Sequence, residues 1–105
     1  MAQGFTIERR DHLCVVTLET DLTAALVAPL KAALKEALSA GATGVELDLA
    51  RATMLDSSGI GLLIATANSL ARSGGRVRVT NASKDIRTLL HSMRLTTRLD
   101  VPDRA

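Results

Sequence analysis

The residues with the clearest chemical potential are an acid and two hydroxyls, Asp56, Ser57 and Ser58, which precede a long helical pattern. A short polar side chain before a helix accepts a hydrogen bond from the unpaired amides of the first turn, and Ser58 is the expected cap. The same position is the positive end of the helix dipole, where an added phosphate is favoured by about 0.3–1 kcal/mol. The sequence therefore predicts that Ser58 can carry a phosphate without loss of the helix.

Two glycines beside these serines favour access by another protein. Gly59 and Gly61 have no side-chain bulk, so we expect a partner surface to approach the Ser58 hydroxyl closely. A second interpretation remains open at this point, because serines that only cap a helix are common. Local chemistry does not decide between a presented hydroxyl and a simple cap.

Catalytic and nucleotide-binding sites are weakly indicated. A hydrolase triad needs a histidine, but His12 lies in a predicted hairpin, His91 lies in a predicted helix, and the Gly-x-Ser-x-Gly elbow is absent. The Gly-x-Gly after a strand hints at phosphate binding, yet Ile64 stands at the third glycine position and no Gly-Lys-Ser/Thr follows. We therefore expect no enzyme activity and no cofactor.

Composition limits the chain to one domain and one kind of core. The 105 residues contain a single Phe and no Trp or Tyr, so the core must be aliphatic. Few aromatic residues and a net charge of +2 without a basic run argue against nucleic-acid binding. Cys14 is alone in an apolar run, which indicates a core thiol and no cysteine metal site. No run approaches the roughly 18 apolar residues of a membrane span, and we expect a cytoplasmic protein.

Alternating strands and helices must position the serines. The segments 5–9 and 13–18 have strand patterns separated by a tight turn, which predicts an opening hairpin. An apolar stripe from Leu26 to Leu38 predicts a helix that begins near Leu26, because Pro29 is tolerated only in a first turn. The strand 45–49 follows, and this β-α-β order implies parallel pairing. Asp48 then lies near the carboxyl end of its strand, where sites gather or where a carboxylate supports a loop.

The later elements continue the alternation. A second apolar stripe runs from Ile60 to Ala71 and ends at two glycines, and the segment 76–80 alternates as a strand. Ser83 is the predicted cap of a third helix, with Asp85 in its first turn. The segment 97–101 is a candidate final strand, and we expect residues 102–105 to fray. The pattern predicts an α/β domain with a mostly parallel sheet of four or five strands.

The motif Leu47-Asp48-Leu49, followed after seven residues by Asp56-Ser57-Ser58-Gly59-Ile60-Gly61, resembles the signature of the bacterial anti-sigma-factor antagonists, which are STAS-domain proteins. The resemblance extends from about Phe5 to Val101. It implies one STAS-like domain over residues 1–105, with a mixed, mostly parallel sheet of four or five strands, an N-terminal antiparallel edge hairpin and three or more helices.

The resemblance also implies a function and its residues. Ser58 would be phosphorylated by a serine kinase that is itself the anti-sigma factor, with Ser57 as second choice, and a serine phosphatase would reverse the reaction. Asp56 would shape the site, and Asp48 would support it. The unphosphorylated domain would bind the kinase and release its client. The implied partner surface consists of Asp21, Leu22, Thr23, Asp56, Ser57, Ser58, Gly59, Ile60, Gly61 and Leu62.

The sequence departs from the family pattern in two places. Members often have an acid where Thr23 stands, although Asp21 is two residues away. A glycine that is common after the third helix is replaced by the pair Arg94-Leu95. Two alternative functions remain: a constitutive STAS subunit of a transport ATPase complex, and a small nucleotide-binding sensor. No metal, nucleic acid or membrane partner is expected.

Overall fold

The computed structural model describes residues 4–102, which form a five-stranded sheet and three α-helices. The strands are β1 (Phe5–Arg10), β2 (Leu13–Leu18), β3 (Gly44–Asp48), β4 (Val77–Thr80) and β5 (Leu99–Asp100). The helices are α1 (Ala24–Ser39), α2 (Ser57–Ala71) and α3 (Lys84–Ser92), and a 3-10 turn spans Leu95–Thr97. The predicted mixed α/β fold is confirmed. Of the segment predicted to fray, only Pro102 lies within the described residues.

The strands lie in the sheet in the order of the sequence, from β1 to β5. The hairpin of β1 and β2 is antiparallel, as predicted, and each later strand pairs in parallel with its predecessor. Right-handed crossovers between successive neighbours place α1, α2 and α3 on the same face of the sheet. The parallel strands therefore end on the same side of the sheet, and from there the chain enters a helix after β2, β3 and β4.

The core is an aliphatic layer between the sheet and the helices. Side chains that alternate along β3 and β4 are buried on the helix side, including Val45, Leu47 and Val79. Cys14 is also fully buried, which confirms its prediction as a core residue. Burial raises the pKa of the Cys14 thiol, and the positive charge of Arg9 opposes this effect. The thiol is thus held in its neutral form.

The opposite face of the sheet is largely polar. Glu46 pairs with Arg78 across β3 and β4, and Arg78 pairs with Asp100 across β4 and β5. The Arg78 Nε and Asp100 Oδ2 atoms are 3.8 Å apart, and both side chains are more than half exposed. An exposed ion pair of this kind adds little stability, so the aliphatic layer supplies most of it.

Helix α1 begins earlier than the sequence predicts. It starts at Ala24 rather than near Leu26, and Pro29 lies inside it. The Thr23 carbonyl accepts the amides of Leu26 and Val27, which establishes the first turn before the proline is reached. Pro29 is exposed, so the carbonyl that lacks a helical partner at this point can be hydrated. The loop before α1, described below, determines where the helix begins.

The start of α3 and the end of α2 follow the predictions. The Ser83 Oγ atom accepts the Ile86 amide at 3.2 Å and caps α3. Gly74 has a positive φ of 80° after α2, as the predicted stop requires. A side chain on Gly75 would collide with the Thr43 carbonyl, so glycine is needed where the chain turns back into β4.

The missing family glycine corresponds to a strained arginine. Arg94 follows α3 with φ 59° and ψ 32°, the left-handed conformation that glycine adopts without penalty. Its amide bonds to the His91 carbonyl at 2.9 Å and closes the end of the helix. The chain therefore keeps the backbone turn although it has lost the glycine.

We predict that Arg94→Gly stabilises the protein by about 1 kcal/mol, because it removes the left-handed strain of a residue with a Cβ atom. Met93→Gly is the matched control, because the neighbouring Met93 is also exposed but has a negative φ of −86°. This substitution relieves no strain and should lower the stability of the protein. Free energies of unfolding from urea titrations provide the comparison. Equal destabilisation by both substitutions would contradict the strain argument.

Candidate functional site

Two loops meet at the carboxyl edge of the sheet. The first, residues 19–23, connects β2 to α1, and the second, residues 49–56, connects β3 to α2. Leu22 and Leu55 form a parallel bridge, in which the Leu22 amide bonds to the Met54 carbonyl at 3.2 Å and the Asp56 amide bonds to the Leu22 carbonyl at 3.1 Å. The two helices therefore begin side by side.

One carboxylate serves both helix starts. Asp56 Oδ1 accepts the Gly59 amide at 2.9 Å and caps α2. Asp56 Oδ2 accepts the Ala24 amide at 3.0 Å, at the first residue of α1. The prediction that Ser58 is the cap is wrong, because Asp56 has the extended backbone of a cap whereas Ser58 already lies within the helix.

A second acid ties the loops together. Asp21 Oδ1 accepts the Thr53 amide at 2.7 Å, the Thr53 hydroxyl at 3.1 Å and the Met54 amide at 3.3 Å. The Thr53 amide, followed by the Thr53 hydroxyl, lowers the pKa of Asp21 below its ordinary value of 3.8. Asp21 is therefore a brace within the site. Thr23, at the start of α1, makes no capping bond with its side chain.

The serines are presented to solvent. Ser57 and Ser58 are the first residues of α2, and both are exposed. Among residues 4–102, no side chain or backbone group forms a hydrogen bond with either hydroxyl. Because Asp56 satisfies the helix start, the Ser58 hydroxyl is left available for chemistry. Its place is the first turn of α2, where the helix dipole favours an added anion.

The two glycines have different roles. A Cβ atom on Gly59 would lie 2.7 Å from Leu22 Cγ and 2.9 Å from the Leu22 carbonyl oxygen, so Gly59 is needed for contact between the loops. No atom lies within 4 Å of the position of a Cβ atom on Gly61, which is exposed. Access for a partner, predicted for both, is therefore geometrically open only at Gly61.

The other predicted surface residues lie mostly beneath the surface. Leu22, Ile60 and Leu62 are at most 7% exposed and pack in the core. Met54, which the sequence analysis did not select, is 49% exposed in the loop before α2. An apolar residue in a polar loop before a helix cap was the available signal. Met54 therefore adds an exposed apolar side chain to the loop that precedes the serines.

Asp48 stabilises the first residues of the loop between β3 and α2. Its Oδ1 atom accepts the Ala50 amide at 2.9 Å and the Asn81 side-chain amide at 3.0 Å. His12 lies in the hairpin turn and His91 in the last turn of α3, both toward the opposite edge of the sheet. In the part of the chain between residues 4 and 102, no cluster of His, Cys, Asp and Glu side chains has the makeup of a metal site.

Comparison with protein-family models identifies the family of this chain. The family model described as "Mlab, STAS domain" matches residues 5–101. The chain belongs to the STAS domain family. No curated protein matches the chain. Among residues 4–102, the STAS domain has no helix with the length and apolarity required to span a bilayer.

Solved structures similar to this STAS domain include two proteins. TM1081 of Thermotoga maritima superposes with a TM-score of 0.86 at 18% identity, over 94% of this chain and 86% of that one. The anti-sigma factor antagonist SpoIIAA in its unphosphorylated form has a TM-score of 0.74 at 25% identity, over 83% and 81% of the two chains. Bacillus SpoIIAA in the phosphorylated form has a TM-score of 0.76 at 23% identity, over 93% and 90%.

The contrast between the two glycines of this STAS domain is directly testable. Gly59→Ala should destabilise the fold by about 1–3 kcal/mol, because the methyl group forces Leu22 away from α2. Gly61→Ala should stabilise it by up to about 1 kcal/mol, because alanine is the better helix former and meets no neighbour. Thermal unfolding of both variants measures the difference, and equal effects would contradict the assigned contact.

The Asp21 brace should weaken in acid. Because its folded-state pKa lies below the ordinary 3.8, its contribution is fully present above that value and is lost as the pH falls through the lowered pKa. Amide resonances of Thr53 and Met54 should therefore titrate in this range. Asp21→Asn removes the charge and should abolish the titration; a titration that persists in this variant would assign it to another group.

Proposed function

We propose that this STAS domain is an anti-sigma-factor antagonist that acts by partner switching. Unphosphorylated, it binds a serine-kinase anti-sigma factor and releases the client of that kinase. The kinase phosphorylates Ser58, the complex separates, and a serine phosphatase restores the binding form. The observation that carries the proposal is the exposed Ser58 hydroxyl in the first turn of α2, beside a cap that does not require it.

The site is built so that modification need not disturb the fold. Asp56 holds both helix starts and Asp21 holds the loop between them, so the Ser58 side chain has no structural bond to lose. A phosphate adds about −1.5 to −2 charges. At the start of α2 the helix dipole favours that charge by about 0.3–1 kcal/mol. We therefore expect the phosphorylated domain to remain folded.

Docking is expected to respond much more strongly. A dianion opposite an acidic or closely packed surface costs several kcal/mol, and each ~1.4 kcal/mol lowers affinity tenfold. The local gain from the dipole is smaller than this loss, so separation of the complex is the dominant effect. This chain is similar in fold to SpoIIAA in both its unphosphorylated and its phosphorylated form, which supports the expectation that the fold survives modification.

The test uses the cognate serine-kinase anti-sigma factor that the proposal requires. Incubation with the kinase and ATP should transfer one phosphoryl group, as measured by intact mass, and Ser58→Ala should abolish the transfer. Ser58→Asp should weaken kinase binding at least about tenfold while the unfolding temperature changes little.

Ser57→Ala tests the second choice of site, and Ser39→Ala is the matched control, because Ser39 is exposed at the last residue of α1. Both variants should be phosphorylated normally, and Ser39→Ala should bind like the wild type. A phosphate mapped to Ser57 would move the site by one residue. Unchanged affinity of Ser58→Asp would contradict switching. Transport ATPase components in the genomic neighbourhood would instead favour a constitutive subunit of such a complex.

A further inference from the structure

A shallow groove runs between α1 and α2 on the outer side of the helix layer. Its cavity of about 190 Å³ is smaller than the roughly 300–1,000 Å³ of a typical small-molecule site and is suited to one apolar side chain. Its floor is apolar, with Leu34 and Leu62 almost fully buried. The groove is lined by Lys31, Leu34, Lys35, Leu38, Leu62, Ala65, Thr66 and Ser69.

The charged residues that line the groove are both lysines, so the groove is positively charged. Lys31 and Lys35 are exposed on adjacent turns of α1, and neither forms an ion pair within residues 4–102. Like charges at this spacing destabilise a helix. Helix α2 contains no charged residue between Ser57 and Ala71, so the facing wall offers nothing to neutralise them. The groove therefore presents an apolar floor beneath two uncompensated positive charges.

The groove continues from the phosphorylation site proposed above. Ser58 precedes Leu62 by four residues, so the two side chains lie on the same face of α2, one turn apart. Ala65 and Ser69 extend that face along the groove. A segment that lies in the groove would therefore end beside the Ser58 hydroxyl.

We propose that this groove binds an amphipathic, acidic segment of the partner kinase, with one apolar side chain in the cavity and carboxylates facing Lys31 and Lys35. This inference rests on the proposed function and specifies its docking element. It also supplies the repulsion that switching requires, because a phosphate on Ser58 would face the same acidic segment. An apolar helix face in a groove, with charges at the rim, is a recurrent mode of recognition.

The experiment measures binding of the purified kinase to charge-reversed variants. Lys31→Glu and Lys35→Glu should each lower affinity about fivefold to tenfold at about 50 mM salt, and the loss should shrink at about 0.5 M salt because the charges are screened. Lys84→Glu is the matched control, since Lys84 is exposed on α3 away from the groove. It should bind like the wild type. All three variants should unfold near the wild-type temperature.

The outcomes separate this inference from the proposed function. If the wild type binds the kinase and is phosphorylated on Ser58, but both groove variants bind equally well, the groove proposal is overturned and switching stands. If the wild type neither binds nor accepts phosphate, the proposed function fails first. Tighter binding after charge reversal would indicate a basic occupant. A dimer of this chain that Lys35→Glu disrupts would indicate a second copy in the groove; either result overturns the proposal.

Discussion

The arrangement depends on one carboxylate that two helices share. Asp56 accepts one amide from the first turn of α2 and another from the first residue of α1, so the positive ends of both dipoles converge on its charge. Such charge-assisted bonds are about twice as strong as neutral ones. The bond from the Ala24 amide to Asp56 connects residues that are 32 positions apart in the sequence. It therefore ties together two consecutive β-α-β units. The shape of the serine surface follows from this bond.

The role of Asp56 also explains why the serines are available. If a serine were the cap, its hydroxyl oxygen would accept a hydrogen bond from an amide of the first helical turn, and phosphorylation would break that bond. With the acid two positions before Ser58, structural support and the proposed modification belong to different side chains. Gly59 completes the separation, since its missing side chain lets Leu22 pack against the helix start from beneath. A charge added to Ser58 is therefore expected to leave the bonds at the helix start intact.

The sequence predicted the elements well because their periodicities are strong and their boundaries carry clear signals, such as Ser83 before α3 and Gly74 after α2. The sequence analysis placed the start of α1 too late. That start depends on the hydrogen bond that the Ala24 amide donates to Asp56, which is distant in the sequence. The sequence analysis selected Ser58 as the cap because serine and aspartate have similar cap preferences, and only the backbone conformation distinguishes them. Burial of Leu22 depends on how the two loops pack, which no local pattern encodes.

The two edge strands of the sheet bear on how this protein behaves at high concentration. Unpaired edge strands invite aggregation by strand addition. The first strand has consecutive charged residues, Glu8, Arg9 and Arg10, and the last strand is two residues long. Charge at one border and brevity at the other oppose strand addition by neighbouring molecules. We therefore expect this protein to resist fibre formation through its edge strands at high concentration.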